Sequence, residues 1–132
     1  MKDKTMKFQP RHPPREFEVG FDKKGIIHDC GSMYLAPDEQ ITFVTDNGNE
    51  YDVTRKDWGF YAGPSLNGRL AGFNLRAVLV KNRVDRFFVL LVERGMEASF
   101  ESYVREEPLQ IIAWLDTKES LLELEARLNV HD

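Results

Sequence analysis

The sequence predicts an α+β domain: a mainly antiparallel curved sheet or small barrel, with two helices from the C-terminal half packed against it. Three observations lead there. Short apolar segments rich in β-branched and aromatic residues, punctuated by turn residues, fill positions 16–92. A helical period then appears at 96–107 and again at 117–129. A strand-like stretch, 109–115, separates the two.

Residues 1–15 hold Pro10, Pro13 and Pro14. Proline removes backbone donors and biases its predecessor toward extended geometry. A flexible basic arm is expected over 1–15, followed by one globular domain over 16–132. Phe17 and Val19 alternate with Glu16 and Glu18, a short strand signal. Ile26 to Leu35 reads as a strand in which Gly31 marks a bulge or a close backbone approach.

Glu39–Thr45 and Glu50–Thr54 form the clearest hairpin. A two-residue Asn47-Gly48 loop would set Phe43 opposite Asp52. A three-residue Asp46-Asn47-Gly48 loop sets Phe43 opposite Tyr51 and Ile41 opposite Val53, with Glu39 beside Arg55. Alternation favours the second register, because a one-residue slip exposes the apolar set. It requires φ > 0 at Gly48, where glycine is least costly.

Leu75–Lys81 and Arg86–Val92 read as two strands joined by a turn. Phe87 to Val92 is apolar at every position, which predicts a central strand covered on both faces. Met96, Phe100, Tyr103 and Val104 share one helical face. Asp116, three residues before Glu119, resembles the start of a capping box. Leu121, Leu124 and Leu128 form the stripe of the second helix.

Composition narrows the function classes. The 132-residue chain has a net charge of −4, which argues against a nucleic-acid binder. Residues 1–15 carry +4, so the remainder carries −8. Cys30 is the lone cysteine and has no internal disulfide partner, so a reducing, cytoplasmic setting is expected. No segment resembles a secretory signal or a membrane span.

The most site-like segment is Asp57 to Gly72. Trp58 and Tyr61 offer aromatic faces, and Asn67 and Arg69 offer forked donors. That set suits a sugar or a phosphorylated or carboxylated metabolite. Trp58, Phe60 and Tyr61 also read as core residues of a strand, with Pro64 to Gly68 a plain turn. Neither phosphate-loop spacing nor a dinucleotide glycine pattern is present. His28 and Cys30 would share one strand face, and His28 or Asp57 is the candidate acid–base group. His12, His28 and His131 are scattered, so neither a metal nor a cofactor is expected.

Three functions remain open on the sequence. The first is binding of a small ligand by Trp58, Tyr61, Asn67 and Arg69. The second is an enzyme using Asp57 or His28 with Arg69. The third is a protein-interaction or homodimerisation module that works through a sheet edge or the C-terminal helix. A shallow surface at Arg69, with an apolar patch exposed on that helix, would favour the third, whereas Asn67 and Arg69 both in bulk solvent on a disordered loop would remove the first two.

Overall fold

The computed structural model describes residues 6–20 and 24–129. Residues 1–5, 21–23 and 130–132, His131 among them, lie outside the described residues. The chain is α+β with mostly antiparallel sheets. It has three open sheets among the described residues, and none closes into a barrel. Its contacts divide into two compact units: residues 1–43 with 52–63, and residues 44–51 with 64–132.

In the first unit, β1 (Lys7–Val19) pairs antiparallel with β2 (Gly25–Tyr34). Most of the basic proline-containing segment, from Lys7 onward, belongs to this strand. The ladder is interrupted once. Pro10 faces Gly31 and Arg15 faces Asp29, so Arg11 to Pro14 bulge out opposite Cys30. Two prolines in that excursion have no N–H to give a ladder, which is why the pairing breaks there.

Gly31 is a close approach. A Cβ there would lie 2.5 Å from the Gln9 carbonyl oxygen and 2.6 Å from the Phe8 ring. By alternation Phe8, Met33, Phe17, Ile27 and Val19 share one face of the ribbon, and all five are exposed.

Strands β3 (Gln40–Val44), β4 (Glu50–Lys56) and β5 (Gly59–Ala62) form a second sheet in that order. Its hairpin takes the three-residue register. Thr45 N–H donates to the Asn49 carbonyl at 2.9 Å, and Arg55 N–H donates to the Glu39 carbonyl at 2.9 Å. Gly48 has φ 84°, in the left-handed region where a side chain would be strained.

The third sheet belongs to the second unit. It has β6 (Leu75–Lys81) at its centre, flanked by β7 (Phe87–Glu93) and β8 (Gln110–Trp114). The unit also contains α1 (Arg69–Gly72), α2 (Glu97–Glu106) and α3 (Lys118–Leu128). All the buried apolar side chains among the described residues lie here.

Both faces of β6 are covered. Leu75 and Ala77 meet Leu70 of α1, with Tyr51 and Leu115 alongside. Val78 and Val80 meet Val92, Leu90, Phe100 of α2 and Trp114. The Phe100 and Trp114 rings meet edge-on at 6.0 Å.

The fully covered strand is therefore β6, and β7 is an edge. Its apolar run does not mark a buried central strand. The capping expectation also changes: Thr117 caps α3, accepting from Ser120 N–H at 3.1 Å, and Asp116 turns inward. The stripe of α3 is largely open, with Leu124 and Leu128 exposed. No helix among the described residues is long and apolar enough to cross a membrane.

Candidate functional site

The second unit has two sheet edges, and they differ. Strand β8 carries a bulge: Leu79 pairs with Ala113 and Val80 with Ile111, leaving Ile112 extra. A bulge bends a strand and disrupts its open edge. A cleft of about 400 Å³ lies beside it, between β8 and α3, lined by Ile112, Trp114, Leu124 and the Glu123–Arg127 ion pair.

Strand β7 has no such defence. It pairs with β6 in unbroken register from Leu75–Glu93 to Lys81–Phe87. Within the strand, Phe87 to Val92 contains neither proline nor charge.

The direction of the β7 backbone groups follows from the ladder ends. Arg94 N–H donates to the Asn74 carbonyl at 2.9 Å, and Asn82 N–H donates to the Arg86 carbonyl at 2.9 Å. Both bonds continue the β6–β7 register. Even-numbered β7 residues therefore turn their N–H and C=O groups toward β6, and Phe87, Val89 and Leu91 turn theirs outward. The side chains of those three share one face and are 57%, 58% and 38% exposed. Arg86, Phe88, Leu90, Val92 and Arg94 share the other.

Two polar clusters frame the end of this strand. Asp116 has a side chain only 2% exposed. Arg76 donates to it twice, Nε at 2.7 Å and Nη2 at 3.3 Å, and stacks 4.0 Å above the Trp114 ring. Arg94 lies 3.8 Å from the same carboxylate.

Glu93 accepts from Thr45 Oγ1 at 2.6 Å, Asn49 Nδ2 at 2.7 Å and Asn47 Nδ2 at 3.4 Å. These donors, Thr45 foremost, hold its carboxyl below the ordinary value of 4.5. The stabilisation they give is complete above that value and is lost as pH falls through the lowered one. The Asn49 side-chain amide resonances are expected to stay unchanged on acidification until below the ordinary glutamate range. In Glu93→Gln they should not respond to pH at all. A change in the parent at or above that range would contradict this.

The residues singled out from the sequence fall in different places. Trp58 and Tyr61 belong to the first unit; the core strand that Trp58–Tyr61 also suggested forms as Gly59–Ala62, with Trp58, Phe60 and Tyr61 all exposed. Asn67 and Arg69 belong to the second unit and are both exposed. Arg69 opens α1, where its N–H donates to Ser65 Oγ and its guanidinium lies 5.0 Å over the Phe73 ring. Asp57 is exposed between β4 and β5.

His28 faces Glu16 across the ribbon, Nε2 to Oε2 at 3.1 Å, and the Cys30 thiol donates to the His28 carbonyl rather than to its ring. Asp29 lies on the opposite face of the ribbon from His28, as strand alternation requires. There it gathers Arg11 and Arg15, at 3.0 and 2.7 Å, while Arg11 also reaches Ser32 at 2.6 Å. Arg15 above all holds the Asp29 carboxyl below its ordinary value. Among the described residues, no three His, Cys, Asp or Glu side chains gather as a metal would require.

No family model, characterised protein or solved structure matches this chain.

Proposed function

We propose that the chain is a protein-interaction module that receives an extended segment as an added strand along β7. The supporting observation is the edge itself: seven residues in regular register, outward N–H and C=O groups at Phe87, Val89 and Leu91, and their apolar side chains exposed on one face. Such an edge is a template for strand addition. Main-chain hydrogen bonds would supply affinity, and alternate side chains would supply selectivity. The open surface around Asn67 and Arg69 and the exposed leucines of α3 point the same way.

The test is a titration of the full chain with a capped Thr-Val repeat peptide, followed by amide NMR. Shifts are expected to concentrate on residues 86–94. Val89→Pro removes an outward N–H that β6 does not use, so it should leave the fold intact and abolish the response. Shifts elsewhere, or an undiminished response in Val89→Pro, would overturn the proposal.

A further inference from the structure

Resting on that reading, we infer that the segment received by β7 comes from a different protein and carries a carboxylate at each end of its apolar stretch. Charge complementarity along the continued ladder supports this. Arg86 and Arg94 both extend the β6–β7 register, one at each end, so they share a face with Phe88, Leu90 and Val92. On that side Val92 is buried and Leu90 half-buried against α2, so the exposed Phe88 lies between two guanidinium groups eight residues apart.

A second copy of β7 is a poor occupant. Antiparallel overlap of the full strand is centred on Leu90 and sets Phe87 opposite Glu93. That register also sets Arg86 opposite Arg94, twice by symmetry. Like charges directly opposite on adjacent strands are destabilising, and opposite charges are stabilising. Arg94 is only partly answered within the chain: its contact to Asp116 is 3.8 Å, and its side chain stays 43% exposed. Arg76 takes the short bonds to that carboxylate. Glu93, on the other face, is already occupied by Thr45 and Asn49. Arg86 is exposed at the other end, so the edge favours an acid opposite each of the two arginines.

Opposite residues on antiparallel strands present their side chains to the same face. A fitting segment then has an acid, seven residues of alternating apolar character, and a second acid. Two capped peptides test this on the full chain: Glu-Val-Thr-Val-Thr-Val-Thr-Val-Glu, and the same peptide with lysine at both ends. The glutamate peptide is expected to bind more tightly, by about two- to five-fold per charge pair. Added salt should shrink the difference.

Arg86→Ala should reduce the preference while leaving Lys-ended binding in place. Equal affinity for both peptides would overturn the inference and leave strand addition standing. Failure of both to bind would overturn strand addition itself. Sedimentation of the free chain supplies the remaining arm: an oligomer that Val89→Pro dissolves would make a second copy the occupant and overturn the inference, whereas a monomer agrees with it.

Discussion

Asp116→Ala is expected to destabilise the fold by about 3 kcal/mol, read as a lower urea midpoint. The carboxylate is almost wholly out of water, and Arg76 reaches it with a two-pronged contact while its guanidinium carbon lies 4.0 Å over the Trp114 ring. Removing the acid leaves a guanidinium half-sheltered on an aromatic face without its counter-charge. The loss comes from that stranded charge rather than from the pair's net worth, and this has a consequence. Adding Arg76→Met to Asp116→Ala should recover most of the stability, because a pair replaced by apolar side chains is close to neutral. A double variant that shows the sum of two large losses would refute the explanation.

Leu70→Ala is expected to cost about 3 kcal/mol. Leu70 is fully buried and is the α1 contribution to the cluster with Leu75 and Ala77. A helix of four residues has little stability of its own, and Leu70 is its one buried side chain. The cavity left by truncation would open beneath it, and protection of the amides around Phe73 should fall with the midpoint. Leu70→Met, which keeps volume, should stay within about 1.5 kcal/mol of the parent. Equal losses for Ala and Met would show that something other than packing is at stake there.

The sequence showed most where local rules are strict. The hairpin register was legible because only one loop length puts Phe43, Ile41, Tyr51 and Val53 on a common side, and that length needs glycine at 48. The boundaries of β6, α2 and α3 followed from period and turn residues in the same way. Long-range partners were not legible. Asp116 satisfies the local pattern of a cap, yet its partner Arg76 lies 40 positions away and nothing nearby announces it. The β1–β2 ladder resumes across the Arg11–Pro14 excursion, which local proline rules describe only as a break.

The apolar run at Phe87–Val92 is the most instructive case. An unbroken apolar strand is the signature of burial on both faces. It is equally the signature of an edge whose covering strand belongs to another chain, and no periodicity separates the two. The exposed side chains of Asn67 and Arg69 have a similar origin: turn chemistry and binding chemistry draw on the same residue types.

Amide hydrogen exchange along β7 in the free chain tests the central claim most directly. Phe88, Leu90 and Val92 bond to β6 and should exchange slowly. Phe87, Val89 and Leu91 face the open edge and should exchange nearly as fast as unprotected amides. Slow exchange at all six would show that the edge is already covered in the free chain and would contradict strand addition at β7.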